Sequence, residues 1–445
     1  MLLLLSFHSE NDEFICEKSK CDSKEPGEHD TERICNPKFG IQKFITEHVH
    51  QRSQGSEYTI DEEVFMKFHD AIIAERWYYG CMRLLVINPG STSTKVSVFD
   101  DDAEVFTKSV FHDAPLLLSY TTTNDQMQMR KQVVLDLLRN HDIAIESIDV
   151  FIGRGGCAYS QCAGVMAIDR KLYEDTRDDK GGSDHPAKLG VMMAYEWGSE
   201  YSKPMYTVNP TNVDEFSDLA RVTGLKGVYR RAQSHVLNQK GVARRYAESI
   251  GRRYEECSLV VCHIDGGITV SAHSNGRMID GTEGAGGDGP FTPTRLGSIP
   301  LMEVARYLES HTPAELEAMC SRSGGFVSHF GTSNADKVHE MVYAGDAHAT
   351  LVWNAMIYQI CKSIGSMAVV LRGNVDQIIL TGGLVRFDDI VSAIKERTEW
   401  IAPVSVYPGE VEQEEMASEV LKVIKGEESA HKYTGKPVFS GFPWD

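Results

Sequence analysis

The stretch "LLVINPGSTSTKVSVFDD", residues 84–101, decides the fold of this chain, because it places a short polar turn between two apolar runs. The first run, "LLVI", leads into a Pro-Gly pair, and the second, "VSVF", alternates as a strand does. A Walker-type phosphate loop needs a glycine directly before its lysine and a helix after it. Here Thr94 precedes Lys95 and a strand pattern follows. The stretch therefore predicts a strand, a tight turn and a second strand.

The predicted hairpin has a polar tip. Asn88 and Gly90 are followed by three small hydroxyl residues, Ser91, Thr92 and Ser93. Such a tip offers backbone N–H groups and hydroxyls to phosphate oxygens. An ordinary hairpin with a polar turn would show the same pattern, so this segment alone leaves both interpretations open.

A second copy of the same plan favours phosphate binding. "LVVCHIDGGITVSAHSNG", residues 259–276, aligns with the first hairpin with one gap and places Asn88 opposite His263. The two copies are too far apart for a solenoid repeat, and they suggest a duplicated domain with nucleotide in the cleft between. A third turn, in "QIILTGGL" (377–384), follows another apolar run, and Gly382 and Gly383 there allow close approach of the backbone.

Composition limits the class of protein. The chain has 445 residues, 42% hydrophobic and 24% charged, which is typical of a soluble protein with two domains. A net charge of −19 argues against nucleic acid or an anionic membrane as a partner. The opening "MLLLLSF" is too short for a signal peptide or a membrane span. Ten cysteines without framework spacing predict a reduced, cytoplasmic protein.

The first 81 residues differ from the rest, because they are polar and acidic and show little periodicity before about residue 62. Cys16, Cys21 and Cys35 with His29 are a conceivable zinc site, but the paired CxxC spacing is absent. We therefore predict an accessory or poorly ordered extension, with the functional core beginning near Met82.

At this point the sequence resembles a known family, the butyrate kinases. The resemblance rests on "VINPGSTSTK", "GRGG", "SHVLNQKGVARRYA", "HIDGGITVSAH", "DGPFTPTR", "LTGG" and "VYPGE", in that order, and extends from about residue 82 to 428. Butyrate kinases are short-chain carboxylate kinases related to acetate kinase, in the superfamily of sugar kinases, actin and heat-shock chaperones. The resemblance implies a duplicated, actin/ribonuclease-H-like α/β fold with two domains, mixed β-sheets and a nucleotide cleft.

The resemblance also implies the activity: reversible phosphoryl transfer between ATP and butyrate, or a related short or branched fatty acid, giving an acyl phosphate. It implies ATP/ADP and Mg²⁺ as cofactors and a homodimer or larger homo-oligomer. We expect an N-terminal kinase domain at 82–210 that is completed by 408–428, a C-terminal kinase domain at 211–407, and a tail at 429–445.

Charged and polar residues in the motifs are the predicted catalytic groups. By resemblance, Arg154 and Arg295 neutralise the substrate carboxylate and the migrating phosphoryl group, for which guanidinium groups are suited. His235 would contact the transferred phosphoryl, His263 leads into the second hairpin, and His185 is a weaker candidate. The alternatives are ordinary ones, since loop arginines usually lie at the surface and a histidine can simply begin a helix.

The remaining predicted site residues bind phosphate or metal. Asn88 and Glu412 resemble the residues of the family that organise magnesium, although Glu410 or Glu414 could serve instead. In the alternative interpretation, this acidic run only begins a helix, where the helix dipole favours it. The predicted nucleotide-binding residues are Ser91, Thr92, Ser93, Lys95, His263, Gly266, Gly267, Gly382 and Gly383.

Several positions depart from the family pattern. Asn209, counted here with the catalytic residues, stands where relatives usually have aspartate, and Asp214 follows at a displaced position. Asp265 replaces a glycine beside a phosphate turn. Arg386, after Val385, and Lys188 replace smaller residues.

These departures bear on the function. A sugar kinase needs a carboxylate base, whereas a fatty acid with a pKa of about 4 to 5 is already ionised. We therefore predict an active carboxylate kinase, with a non-catalytic nucleotide-binding relative as the alternative. A chaperone or sugar kinase of the same superfamily is less well supported.

Overall fold

The computed structural model describes residues 81–182 and 184–444, and from Met82 onward the chain forms one compact unit. The predictions for the N-terminal extension, including the conceivable zinc site, lie outside the described residues. Among the residues that are described, no helix has the length and apolar character that crossing a bilayer requires.

The strands are β1 (Arg83–Pro89), β2 (Ser93–Asp100), β3 (Ala103–Phe111), β4 (Val150–Gly153), β5 (Val165–Ala167), β6 (Met205–Val208), β7 (Leu259–Ile264), β8 (Ile268–Ser274), β9 (Arg277–Gly281), β10 (Gln377–Gly382) and β11 (Val404–Pro408). The helices are α1 (Ala114–Leu118), α2 (Met127–Asn140), α3 (Arg170–Arg177), α4 (Lys188–Tyr201), α5 (Asp218–Arg221), α6 (Val236–Ser249), α7 (Leu301–Tyr307), α8 (Pro313–Ala318), α9 (Gly325–Phe330), α10 (Ala335–Tyr343), α11 (Ala347–Val370), α12 (Asp388–Thr398) and α13 (Glu412–Ile424).

Within the described part of the chain, these strands form two mixed sheets of the same design. Their orders are β3-β2-β1-β4-β6-β5 and β9-β8-β7-β10-β11. In each sheet three consecutive strands, β1–β3 or β7–β9, form an antiparallel meander. Two further strands, β4 and β6 or β10 and β11, lie on the other side of β1 or β7 and run parallel to it. The prediction of a duplicated α/β fold with mixed sheets is confirmed.

The two predicted hairpins occupy equivalent places in the two sheets. Asn88 pairs with Lys95 and His263 pairs with Thr269, and each pair is the last but one before its turn. The second turn is one residue shorter than the first, which accounts for the gap in the alignment. The correspondence between Asn88 and His263 is therefore structural as well as sequential.

The central strand of the second sheet, β7, is buried along its whole length, and its residues Leu259–Cys262 are all apolar. Val260 and Cys262 of β7 pack in a cluster with Trp353 of α11, whereas Leu259 and Val261 pack on the other face, in a cluster with residues of α6. This continuous apolar character is what parallel strands covered by helices require. The packing on both faces of the sheet thus fixes the position of the edge at which its parallel strands end.

The first sheet is also covered by helices. Helix α4 contacts β1, β4 and β6, and α13, which follows the last strand of the second sheet, contacts β1, β2, β4, β5 and β6. The chain therefore returns from the second sheet to the first at its last helix.

Two glycines bring α4 unusually close to the end of β4. A Cβ on Gly190 would lie 2.6 Å from the carbonyl oxygen of Arg154, and one on Gly153 would lie 2.1 Å from the carbonyl oxygen of Gly190. The backbone N–H of Val191 donates to that same Arg154 oxygen at 3.1 Å. This contact fixes the backbone that carries Arg154.

Replacing Gly190 by alanine should therefore destabilise the protein by about 1–3 kcal/mol, since overpacking a close contact costs that much. The matched control is Gly365→Ala in α11, where an added Cβ meets nothing within 4 Å. A helix-interior glycine replaced by alanine should gain roughly 0.5–1 kcal/mol. Urea unfolding of both variants measures the difference, and equal stabilities would contradict the packing argument.

Candidate functional site

The carboxyl ends of three adjacent strands of the first sheet carry three predicted site residues. Asn88 lies near the end of β1, Arg154 follows β4 and Asn209 follows β6. These strands are parallel and in register, with Ile87 beside Gly153. In open α/β sheets, ligands bind outside this edge.

A buried carboxylate joins two of these residues. Glu412, at the start of α13, is 1% exposed and its Oε2 accepts a 2.8 Å hydrogen bond from Asn88 Nδ2. Arg154 Nη1 donates to Asn88 Oδ1 at 3.1 Å, and its Nη2 lies 3.0 Å from Glu412 Oε1. Burial raises the pKa of Glu412, and the charge of Arg154 opposes that rise. The three side chains form a closed triangle at the edge of the sheet.

This triangle fits a magnesium ion. Glu412 Oε1 is buried and receives no hydrogen bond, since the nearby Arg154 Nη2 is not aligned for one. Asn88 Oδ1 has a second lone pair besides the one that Arg154 uses. Carboxylate and amide oxygens are ligands that Mg²⁺ takes. Of the other two candidates, Glu414 is exposed and Glu410 lies 3.5 Å from Lys95.

Residues at the strand ends of the second sheet also lie near Glu412. One ligand atom each of His263, Asp265 and Glu410 lie within 4.8 Å of one another. Because Glu410 also pairs with Lys95, this residue connects the second strand of the first hairpin with the turn of the second.

The Asp265 carboxylate accepts hydrogen bonds from two glycine-containing turns. Its Oδ1 accepts from Gly266 N at 2.7 Å and its Oδ2 accepts from Gly383 N at 2.6 Å. The Gly383 N–H, predicted to face a nucleotide, is thus occupied by a side chain of the protein. Gly382 has φ +98°, and a Cβ there would lie 2.4 Å from the carbonyl oxygen of Ile264, so glycine is needed for packing on β7.

Arg295 lies against the second turn. A Cβ on Gly267 would lie 2.2 Å from Arg295 Nη1, so the glycine makes room for the guanidinium group. Arg295 donates to the carbonyl oxygen of Gly284, and its Nε is buried without a partner. Burial lowers its pKa to about 10. The carbonyl oxygen of Gly266 accepts from the hydroxyls of Thr292 and Thr294 at 2.7 and 2.9 Å.

Three of the predicted histidines lie near one another, His263 buried and His185 and His235 half-buried. The rings of His235 and His263 stack with centroids 3.9 Å apart and planes inclined by 15°. Burial lowers the pKa of His235 well below its usual range and that of His263 to about 4. The pKa of His185 is also lowered to about 4, first by burial and then by the charges of Arg154 and Arg295. Because both arginines act on all three rings, they lie around the same cluster.

The first hairpin tip rests on an arginine that the sequence did not single out. Arg130 of α2 is fully buried, and its Nη1 donates to the carbonyl oxygen of Ser93 at 2.8 Å and to Thr94 Oγ1 at 3.0 Å. No carboxylate of the described residues pairs with it, and burial lowers its pKa to about 10. Ser91 and Thr92 at the tip are exposed. Arg130 lies in an ordinary helical pattern, so no motif could mark it.

Asn209 presents a donor where relatives would present an acceptor. Its Oδ1 accepts from Gly164 N at 2.8 Å, while its Nδ2 is buried and has no partner. An unpaired buried N–H group of this kind suits an anion. Asp214 does not replace it, because its carboxylate pairs with Arg221 at 2.7 Å.

Two other departures prove to be structural. Arg386 donates to both carboxylate oxygens of Asp336 and to the carbonyl oxygen of Gly383. Lys188 is buried between Asp179 and Asp184, at 2.7 and 3.0 Å.

Comparisons with known proteins agree with this architecture. Residues 219–417 match the family model described as the Acetokinase family, which is under half of the chain. The fold is similar to acetate kinase from Porphyromonas gingivalis, with 17% identity and a TM-score of 0.63 over 77% of this chain and 100% of that one. A propionate kinase from Francisella tularensis gives 16% identity and a TM-score of 0.63, covering 76% and 98%. Acetate kinase from Entamoeba histolytica gives 15% and 0.61, covering 78% and 98%.

The buried histidines predict an acid-sensitive protein. His185, His235, His263 and also His273, whose pKa burial lowers to about 3, are neutral when folded but take up protons near pH 6.5 when unfolded. Their contribution to stability is complete above pH 6.5 and is lost as the pH falls from 6.5 towards 4. Each should add up to about 1.4 kcal/mol per pH unit to the slope.

Urea unfolding between pH 7 and 4.5 measures this slope. His273→Asn should lower the slope by about one proton, whereas His311→Asn, at an exposed position, should leave it unchanged. A His273→Asn slope equal to that of the parent protein would contradict burial as the cause.

Proposed function

Since residues 219–417 match the acetokinase family model, we propose that this chain is an ATP-dependent carboxylate kinase that transfers phosphoryl reversibly between ATP and a short-chain fatty acid. The fatty acid is butyrate or a branched relative, which the motifs of the sequence favour. The proposal includes two kinase lobes, at 82–210 with 408–428 and at 211–407.

One observation carries this proposal. The carboxyl edges of the two duplicated sheets converge on the segment Gly409–Glu412, where Arg154 pairs with Glu412 and neutral histidines stack nearby. Arg295, whose Nε has no partner, lies beside the second turn. A site of this kind offers cationic and N–H donors to anions.

The site suits an acceptor that is already ionised. Of the two departures that first raised doubt, Asn209 presents an amide N–H at the position where a sugar kinase would need a base. A carboxylate needs no base, because it has no proton to lose. Its oxygen attacks the terminal phosphorus, the bond from that phosphorus to the bridging oxygen breaks, and ADP leaves with the electron pair.

The residues of the chain then have distinct roles. Arg154 and Arg295 neutralise the carboxylate and the migrating phosphoryl group, which would otherwise repel each other. Asn88 and Glu412 would hold Mg²⁺, which when bound would neutralise charge on the terminal phosphates. His235, His263 and Asn209 donate hydrogen bonds to oxygens whose charge grows in the transition state.

A second candidate function rests on Asp265. Its carboxylate occupies the Gly383 N–H and places negative charge beside a turn that would face phosphate. A relative that binds nucleotide without turnover would tolerate that charge. Turnover by the unmodified protein distinguishes the two candidates.

The arginines provide the first test. In a hydroxylamine-trapping assay with MgATP and a series of straight and branched short acids, Arg154→Ala and Arg295→Ala should each lower kcat about 100- to 1000-fold. Arg139→Ala is the matched control, because that guanidinium is 70% exposed and pairs only with Asp136 on its own helix. If folded, ATP-binding protein makes no acyl phosphate from any acid, the second candidate is favoured.

Asp265→Asn provides the second test. The amide oxygen can still accept from Gly383, whereas the amide nitrogen cannot accept from Gly266, and the negative charge is gone. We expect MgATP to bind about three- to tenfold more tightly, equivalent to roughly 0.7–1.4 kcal/mol. Calorimetric titration measures this change, and Asp102→Asn, at an exposed position, is the control. Unchanged or weaker binding would show that Asp265 faces away from the phosphates.

A further inference from the structure

Asn238, in the first turn of α6, connects three elements of the site. It is fully buried, and its Oδ1 accepts from the backbone N–H of Val411, directly before Glu412, at 2.9 Å. Its Nδ2 lies 2.9 Å from His263 Nδ1 and 3.2 Å from Thr381 Oγ1. The amide therefore contacts the start of α13, the end of β7 and the end of β10.

The orientation of this amide is fixed by its partners. A backbone N–H can only donate, so the oxygen of Asn238 must face Val411 and the nitrogen must face His263. The nitrogen can only donate, so His263 Nδ1 must accept. A neutral imidazole has one proton, which must then lie on Nε2.

The neighbouring residue, Gln239, acts on the second ring. Its Nε2 donates to the carbonyl oxygen of Thr269 at 3.1 Å, which fixes the orientation of the amide, and to Thr269 Oγ1 at 2.7 Å. The backbone N–H of His235 also donates to Thr269 Oγ1, at 3.5 Å, so both lone pairs of the hydroxyl are used and its own proton is donated to His235 Nδ1, 2.9 Å away. His235 thus also carries its proton on Nε2.

We propose that Asn238 and Gln239 are positioning residues that fix the stacked His263 and His235 as a pair of Nε2–H donors. The proposal rests on the proposed function in one respect: the anion that accepts from these N–H groups is taken to be the transferred phosphoryl group. It also implies that His263, Asp265 and Glu410, although close together, would not offer three ligands to a cation. A protonated Nε2 has no lone pair for a metal ion, and Nδ1 already accepts from Asn238.

The state of the rings can be observed directly. In the full-length protein with ¹⁵N-labelled histidine, long-range ¹H–¹⁵N spectra distinguish the two tautomers, and His263→Asn and His235→Asn assign the signals. We expect both rings as Nε2–H tautomers at pH 7. An Nδ1–H signal for His263 would overturn the proposal without any variant of Asn238.

Asn238→Asp then reverses the polarity of one contact. One carboxylate oxygen still accepts from Val411, but the other must accept from His263, so its proton should move to Nδ1. Acyl phosphate formation should fall about 100-fold or more. Co²⁺, titrated alone, should bind the variant at least tenfold more tightly than the parent protein, because Nε2 is now free beside Asp265 and Glu410. Asn354→Asp, exposed on α11, is the control.

A double-mutant cycle separates positioning from a merely structural effect. In a His263→Asn background, Asn238→Asp should have little further effect on kcat and none on Co²⁺ binding. Additive losses in the cycle, or an unchanged tautomer in the folded variant, would overturn the proposal. If the parent protein forms no acyl phosphate, the proposed function fails, whereas the spectra still decide the state of the two rings.

Discussion

The buried carboxylate of Glu412 is the interaction on which the site depends. The chain leaves the second sheet at β11 and enters α13, which packs on the first sheet, and Glu412 begins that helix. Its carboxylate meets Asn88 and Arg154 of the first sheet, while Val411 before it meets Asn238 of α6. A buried carboxylate without a partner costs several kcal/mol. The connection from β11 to α13 therefore adopts this position only when Asn88 and Arg154 are there to pair with Glu412.

Global and local charge oppose each other in this protein. The chain has a net charge of −19, yet its interior beside the strand ends contains Arg130 and Arg295, which pair with no carboxylate of the described residues. Burial lowers the pKa of both without neutralising them, and it keeps the nearby histidines uncharged. A buried cation without a counter-ion is unfavourable. Binding of a negatively charged ligand relieves this cost, so the free energy of anion binding becomes more favourable.

The sequence predicted the parts of this structure that have a period or a fixed spacing. Apolar runs in β1 and β7 and alternation in β2 and β8 defined both hairpins, and the gapped alignment placed Asn88 and His263 at equivalent positions. Contacts between distant elements could not be predicted in this way. Arg130 lies in an ordinary helix, and the role of Asn238 depends on a backbone N–H 173 residues further on. The hydrogen bonds that Asp265 accepts from Gly266 and Gly383 are likewise not marked by any motif.

The two departures from the family pattern follow one physical rule: a hydrogen-bond donor serves one partner at a time. Asp265 takes the Gly383 N–H, and this turn therefore loses a donor that a phosphate would otherwise use. Asn209 does the reverse, because Gly164 occupies its oxygen and leaves a buried N–H group without a partner. On the proposed function, anion contacts thus shift from backbone turns to side chains, namely Asn209, Arg295 and the two stacked histidines.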